Sequence, residues 1–225
     1  MDDNNGKALW NANVVKYDLG WPDECVVRFF AKSYRGVNKA GVRVLDFGCG
    51  SGRNALAMVQ SGFDVVGADQ NTDALALTQK KVAAVGGTIE TIENVGMGVP
   101  LREESIDCAV CWGCLYLSKE AERKLLLRNV CKVIKPGGLL LANWRADDDY
   151  FCGKGEALEK NVYVLDDRAA AYGLAGMTYY FAPLDDLRAL YEECGFEIYN
   201  VEKRVFVIDN MTVANAHWHI WARKR

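Results

Sequence analysis

Short apolar runs alternate with amphipathic stretches over the first two thirds of the chain. Runs without polar alternation are typical of strands buried on both faces, and apolar residues at a helical period are typical of helices packed on a sheet. Strands are predicted at residues 42–47, 63–68, 89–92, 106–112 and 139–144, with helices between them. This rhythm predicts an α/β fold whose parallel sheet is covered by helices on both faces.

Residues with strong positional preferences mark the beginnings of the helices. Pro22 suits the first turn of a helix, because its fixed backbone angle matches the helix and its missing N–H is not needed there. Asn71 or Thr72 is predicted to cap the helix after the second strand, and Ser118 the helix after the fourth. These signals support the alternation of strands and helices.

The regular alternation breaks after Trp144. Residues 145–182 carry no clean period, and irregular chain of that length in a compact domain usually serves as a lid or a binding loop. A helix is expected at about 183–194, and the β-rich runs at 196–208 and 217–222 predict a closing hairpin.

Composition hardly changes along the chain, so we expect a single domain over residues 1–225, with a helical lid segment at 1–36. The formal net charge is −3 without a basic cluster, which does not favour a nucleic-acid partner.

No apolar run approaches the roughly 18–20 residues of a membrane span. Cysteines such as Cys108 and Cys131 fall on predicted strands and helices, which indicates free thiols in a reducing compartment. We expect a cytoplasmic monomer or homodimer that acts on a small molecule.

The most specific motif is the loop after the first predicted strand, Asp46-Phe47-Gly48-Cys49-Gly50-Ser51-Gly52. Its glycines let a ligand lie against the backbone, and the helix that follows offers free N–H groups. A nicotinamide oxidoreductase would carry G-x-G-x-x-G, whereas Arg53 stands here in the place of the third glycine. With Asp46 just before it, the loop favours the zwitterionic tail of an amino acid over a pyrophosphate.

Asp69 supplies a second signal, because it ends the second predicted strand about 20 residues after the loop. An acidic side chain at this place can accept hydrogen bonds from both hydroxyls of a ribose. The alternative is a carboxylate that only caps the next helix.

Together, four parts of the sequence resemble the class I S-adenosylmethionine-dependent methyltransferases over nearly the full chain: residues 46–52, Asp69, residues 106–110 and residues 133–139. Residues 48–54 and 220–224 also resemble small bacterial tellurite-resistance and thiopurine methyltransferases. The resemblance implies a Rossmann-like three-layer sandwich with a seven-stranded, mostly parallel sheet of order 3-2-1-4-5-7-6, whose last strand is antiparallel. It also implies a transferase that uses S-adenosyl-L-methionine to methylate an acceptor.

The resemblance further implies a set of cofactor contacts at the carboxyl ends of the strands. The residues concerned are Asp46, Gly48, Cys49, Gly50, Cys111 and Trp112 for the methionine part, Asp69 for the ribose, and Gln70, Gly96 and Met97 for the adenine. Many relatives carry an acidic residue after the third strand that binds the adenine amino group. The loop here has none, so Asn94 or backbone groups must serve.

Candidates for the acceptor side lie near the carboxyl edge of the sheet, where open parallel sheets bind ligands. Trp112, Trp144 and Trp218 form an aromatic wall there or belong to the core. His217 and Tyr116 are candidate general bases, with a structural role as the alternative for each. Methyl transfer needs such a base only when the acceptor must lose a proton.

Two further possibilities concern the surroundings of this site. Cys111 and Cys114 could join His217 and His219 in a zinc site, but the spacing is not that of a zinc finger and we expect no metal. The N-terminal segment around Trp10 and Tyr17, the insert and the closing hairpin are expected to build the acceptor pocket. A methyltransferase-fold binding subunit without catalysis is the alternative to an enzyme.

Overall fold

A mostly parallel sheet runs through the part of the chain that the computed structural model describes, residues 18–94 and 96–225. Its strands are β1 (Arg43–Phe47), β2 (Asp64–Asp69), β3 (Glu90–Glu93), β4 (Ile106–Cys111), β5 (Ile134–Ala146), β6 (Gly155–Glu159), β7 (Val162–Leu165), β8 (Thr178–Ala182), β9 (Phe196–Ile208) and β10 (Val213–Lys224). The five strands predicted in the first two thirds are confirmed, with ends that move by a few residues.

Helices cover both faces of this sheet, as the alternation predicts. They are α1 (Glu24–Ser33), α2 (Arg53–Gln60), α3 (Thr72–Ala84), α4 (Glu120–Val133) and α5 (Leu184–Glu193), with a short 3-10 helix at Asp167–Tyr172. Asn71 caps α3, because its side chain accepts hydrogen bonds from two backbone N–H groups of the first turn. The prediction for Ser118 is wrong, since its hydroxyl donates to the carbonyl of Leu115 and Lys119 precedes α4.

The order of the main sheet is β3-β2-β1-β4-β5-β10-β9. The first five strands run parallel, and β10 runs antiparallel to both β5 and β9. This is the predicted order 3-2-1-4-5-7-6, in which β9 is strand 6 and β10, next to β5, is strand 7. The antiparallel closing hairpin is also confirmed, and its second strand is longer than the sequence pattern indicates.

The prediction that residues 145–182 are irregular is wrong. This insert contains β6, β7, β8 and the 3-10 helix, so the described strands number ten rather than seven. β8 runs parallel to the end of β5, where Arg145 pairs with Phe181. The pattern concealed β6 because four of its five residues are exposed, and an exposed strand carries no alternation of apolar and polar positions.

The core consists of two apolar layers, one on each face of the sheet. The layer under α1 and α2 includes Phe29 and Met58, and the layer under α4 and α5 includes Leu127 and Tyr191. Trp144 is fully buried in the second layer, where its indole N–H donates to the hydroxyl of Tyr191 at 3.0 Å. None of the described helices is long and apolar enough to cross a membrane.

Trp144→Phe is expected to lower the free energy of unfolding by about 1–3 kcal/mol, because it removes buried volume and leaves the Tyr191 hydroxyl without its donor. Urea denaturation of the purified protein measures this loss. Trp21→Phe is the control, because the Trp21 side chain is 85% exposed and its change should stay within about 0.5 kcal/mol. Equal losses in the two variants would contradict the placement of Trp144 in the core.

Candidate functional site

The glycine loop between β1 and α2 fits against its neighbours only because it carries glycine. Gly48 and Gly52 have φ of +71° and +81°, values that side chains disfavour. A Cβ on Gly48 would lie 2.7 Å from Cβ of Cys114, and one on Gly52 would lie 2.5 Å from Cγ2 of Thr78. The loop is therefore pressed between the end of β4 and the helix α3.

Asp69 and α3 hold this loop in place. The N–H of Gly50 donates to Oδ2 of Asp69 at 2.8 Å, and the N–H of Asn71 donates to Oδ1 at 2.9 Å. Thr78 and Lys81 lie about one turn apart on α3. Thr78 donates to the carbonyl of Gly50 at 3.0 Å, and Lys81 donates to the carbonyl of Ser51 at 3.0 Å. The Asp69 carboxylate thus has a structural role in the loop. Each of its oxygens can accept a second hydrogen bond, so the ribose contact stays a prediction.

A cavity of about 370 Å³ lies over the loop. Four predicted cofactor residues line it, namely Gly48, Cys49, Gly50 and Trp112. The opposite wall comes from the insert, through Tyr172, Leu174, Met177 and Tyr179. The insert therefore contributes to the cavity over the glycine loop. Its expected role in the acceptor pocket stays a prediction.

Two buried oxygens near the loop have no hydrogen-bond partner among the described residues. They are Oδ2 of Asp46, at the end of β1, and Oδ1 of Asn94, directly after β3. Burial raises the pKa of Asp46 to about 7, and a cationic donor beside the carboxylate would favour its ionised form. The ammonium group and the adenine amino group of S-adenosylmethionine are donors of the required kinds. The residues present therefore fit the cofactor that the resemblance implies.

The remaining predicted cofactor residues do not line this cavity. Gln70 is exposed beyond β2, and Cys111 is fully buried at the end of β4. Met97 packs on the core and its carbonyl accepts a hydrogen bond from Asn129, while Gly96 adopts a φ of +64° in the turn before it. Their contacts to a cofactor stay predictions. The expected pocket residues Trp10 and Tyr17 lie outside the described residues.

A second cavity, of about 440 Å³, adjoins the first. The two share the lining residues Arg53, Trp112, Gly113 and Tyr116. The second cavity also contains Asn143 and Arg145 of β5 together with His217 and His219 of β10. These four lie together because Arg145 pairs with His217 and Asn143 pairs with His219, and alternate residues of a strand share one face.

The same register explains why two of the three predicted wall tryptophans are absent from this cavity. Trp144 pairs with Trp218, one residue out of phase with the cavity residues, so both belong to the opposite face of the sheet. The Trp218 indole N–H donates to the carbonyl of Ala182 at 2.9 Å. The aromatic-wall prediction is therefore wrong for Trp144 and Trp218, while Trp112 borders both cavities.

The two histidines and the tyrosine of the second cavity are held in neutral forms. Burial, reinforced by the charge of Arg145, lowers the pKa of His217 to about 3, and burial lowers the pKa of His219 to about 4. Burial raises the pKa of Tyr116, so its phenol stays protonated. A histidine with so low a pKa is a weak base at neutral pH. The structure thus brings both catalytic candidates to the cavity but makes neither a strong base.

Aromatic rings form the walls of this second cavity. The imidazole of His217 stacks on Phe206 with centroids 5.7 Å apart and planes 2° apart, and His219 lies 4.8 Å from Trp112. Nδ1 of His219 is buried without a hydrogen-bond partner in the described ranges. Flat surfaces and a few polar atoms therefore surround the space next to the glycine-loop cavity.

Asp23, just before α1, fixes the junction of the two cavities. Its Oδ2 accepts the indole N–H of Trp112 at 3.1 Å, and its own N–H donates to Asn54 at 3.0 Å. Arg53 lies 3.8 Å from the same carboxylate. Sequence reasoning missed Asp23, Asn143 and Arg145 as site residues. The two β5 residues could have been found, because they interrupt an apolar strand at the binding edge.

The zinc hypothesis finds no support in the geometry. Within residues 18–94 and 96–225, no three or more His, Cys, Asp and Glu side chains gather in a way that could hold a metal ion. Cys114 donates instead to the carbonyl of Phe47 at 3.3 Å, and Cys111 is fully buried beside it.

Comparison with known proteins agrees with this geometry. Residues 44–138 match the family model of the methyltransferase domain. A methyltransferase-like protein of Geobacillus sp. (strain WCH70) is 33% identical over 116 residues, which cover 50% of this chain and 47% of that protein. Glycine N-methyltransferase of Mus musculus is 27% identical over 140 residues, covering 56% and 47%. The chain thus spans about half the length of these relatives.

Solved structures share the fold over a longer stretch. An S-adenosylmethionine-dependent methyltransferase of Methanosarcina mazei superposes with a TM-score of 0.74 at 20% sequence identity. The match covers 91% of this chain and 98% of that chain. The likeness in fold therefore extends well beyond residues 44–138, which the family model matches.

Asp46→Asn is expected to stabilise the cofactor-free protein more at pH 8 than at pH 5. Folding raises the pKa of Asp46 from 3.8 to about 7, so the folded state holds the proton more tightly than the unfolded chain. Wild-type stability contributed by this group is therefore present below about pH 4 and lost as the pH rises to about 7.

Asparagine does not titrate, so the variant should gain on the order of 2 kcal/mol over the wild type between pH 5 and pH 8. Urea denaturation at the two pH values measures the difference. Asp64→Asn is the control, because the Asp64 side chain is 61% exposed. A gain that does not depend on pH would show that Asp46 is ionised at an ordinary pKa.

Proposed function

We propose that this chain is a class I S-adenosylmethionine-dependent methyltransferase and that it transfers the methyl group of S-adenosylmethionine to a small-molecule acceptor. The observation that carries the proposal is that two cavities adjoin, one over the glycine loop and one beside it, and share the lining residues Trp112 and Tyr116. A methyl donor in the first cavity would face an acceptor in the second.

The loop and its supports would hold the cofactor. When bound, S-adenosylmethionine supplies a methyl group on a positively charged sulfur, and the bond to the acceptor forms as the carbon–sulfur bond breaks. Backbone groups of Gly48 to Gly50 would receive the methionine part, and the free oxygen of Asp46 its ammonium group. Asn94 offers the adenine amino group an acceptor in place of the missing acidic residue.

The acceptor would be positioned rather than strongly activated. His217 and His219 are neutral at physiological pH, and the phenol of Tyr116 is protonated, so they can form hydrogen bonds without adding charge. Holding the acceptor in line with the methyl group and excluding water can supply much of the rate. We therefore propose proximity and desolvation as the main contributions, with proton loss from the acceptor assisted only weakly.

Two other functions are less well supported. A nicotinamide oxidoreductase would need a glycine where Arg53 stands, and Arg53 lies instead against Asp23 at the junction of the cavities. A binding subunit without catalysis has no need of an acceptor cavity beside the loop. Incubation with methyl-labelled cofactor and metabolite extracts tests both, because only the proposed enzyme releases a labelled product.

Asp69→Ala should weaken S-adenosylmethionine binding by about 1.5–3 kcal/mol or more, because it removes the carboxylate that orders the loop and is predicted to bind the ribose. Isothermal titration calorimetry measures the affinity. Asp73→Ala is the matched control, four residues later in the first turn of α3, where the side chain is exposed and should not affect binding. Preferential binding of a nicotinamide dinucleotide by the wild type would contradict the proposed function.

His217→Asn should lower kcat by less than about tenfold and leave the pH profile of kcat/KM unchanged between pH 6 and pH 8. The reason is that the imidazole is already neutral throughout that range, so its loss removes a contact and not a titrating base. Steady-state kinetics on an acceptor found by the labelled screen measures both quantities. A loss of about 10²–10⁴ together with a vanished inflection near neutrality would instead identify His217 as a general base.

A further inference from the structure

Arg145 places a buried cation in the wall of the second cavity. The residue is only 7% exposed. Its Nη1 donates to Oδ2 of Asp149 at 2.7 Å and to Oδ1 of Asn215 at 2.9 Å. Its Nε is buried and has no hydrogen-bond partner among residues 18–94 and 96–225. A buried, unpaired donor of a charged group is costly, so it indicates a partner that is yet to bind.

The orientation of Arg145 is fixed by its neighbours. Asp149 also accepts the backbone N–H groups of Phe151 and Ala216, each at 2.9 Å, so this carboxylate is itself immobile. Both hydrogen bonds from Arg145 to described residues use Nη1. The phenols of Tyr116 and Tyr179 also lie close to the guanidinium. The edge formed by Nε and Nη2 makes no hydrogen bond to the described residues, and the planar guanidinium presents that edge as a fork of parallel N–H groups.

Other charges around the cavity are already matched. Arg53 lies 3.8 Å from Asp23, and Arg204 lies 3.6 Å from Glu24. The two histidines carry no charge near pH 7. Arg53 and Arg204 are partly exposed, with side chains 25% and 42% accessible. Arg145 differs from them because it is buried and its Nε has no hydrogen-bond partner among the described residues. It borders the second cavity but not the cavity over the glycine loop.

The remaining walls suit a flat molecule. His217 stacks on Phe206, and Trp112 packs near His219. Aromatic rings of this kind favour offset or edge contacts with another ring. A planar ligand held between them would bring one edge towards β5, where Arg145 lies.

We infer that the acceptor is a planar aromatic compound that carries a carboxylate, and that the Nε–Nη2 edge of Arg145 binds this carboxylate. The inference rests on the proposed function. A carboxylate matches the guanidinium fork with two parallel hydrogen bonds, and it supplies the partner that Nε lacks. Arg145 is a specificity residue here: it selects the acceptor and orients its ring towards the junction at Trp112 and Tyr116.

Calorimetry on protein saturated with S-adenosylhomocysteine tests the inference. The probes are salicylate and anthranilate, each compared with its neutral amide, salicylamide and anthranilamide. The carboxylates should bind at least about tenfold more tightly than the amides. This preference should fall by about tenfold to a hundredfold in Arg145→Lys, which keeps the buried charge but loses the planar fork.

A double variant provides a second test in case Arg145→Lys does not fold. Arg145→Gln combined with Asp149→Asn removes both charges of the buried pair together, so that no lone carboxylate is left inside. Lys203→Gln is the control, because it removes a cation from the neighbouring strand β9 without touching either cavity. It should retain the preference within about twofold. All variants should bind S-adenosylhomocysteine as the wild type does.

The outcomes separate this inference from the proposed function. Carboxylates that bind no better than amides in the wild type, or a preference that survives in both Arg145 variants, would overturn the inference alone. A parallel loss of S-adenosylhomocysteine affinity in those variants would overturn it too, by assigning Arg145 to the carboxylate of the cofactor. A wild type that binds no S-adenosylhomocysteine would overturn the proposed function itself.

Discussion

The carboxylate of Asp69 is the constraint on which the site depends. It joins the N–H of Gly50 to the N–H of Asn71, and so ties the glycine loop to the first turn of α3. Thr78 and Lys81 complete the attachment by donating to two carbonyls of the loop. Because a Cβ on Gly52 would lie 2.5 Å from Cγ2 of Thr78, the loop can approach α3 this closely only with glycine at that position. The shape of the cavity above it follows from these contacts.

The second constraint is the strand register between β5 and β10. It places polar residues of both strands on the cavity face and the tryptophans on the core face, so one pair of strands serves binding and stability at once. The two histidines and the tyrosine on the cavity face carry no charge near pH 7. Neutral imidazoles and a protonated phenol leave Arg145, with its fixed partner Asp149, as the dominant charge in this wall. Such a pocket is suited to a ligand that matches its shape and carries one anionic group.

Sequence reasoning could predict the parts of the molecule whose signals are local. The glycine loop and the buried strands follow from patterns within a few turns of chain, whereas the sheet order came from the family resemblance, and the structure confirms all three. The exposed strand β6 of the insert gave no such signal, because pairing with β7 rather than burial defines it. The face that Trp144 occupies depends on the register of a strand, which a shift of one residue reverses. The unused edge of Arg145 is visible only once Asp149 and Asn215 are seen to bind the other nitrogen.

A crystal structure with S-adenosylhomocysteine bound tests the central claim most directly, because the claim concerns where a methyl donor would lie. The account predicts density over the glycine loop, with the sulfur at the junction beside Trp112 and Gly113, directed towards the cavity that contains Arg145 and His217. A ligand bound elsewhere, or a sulfur directed away from that cavity, would contradict it.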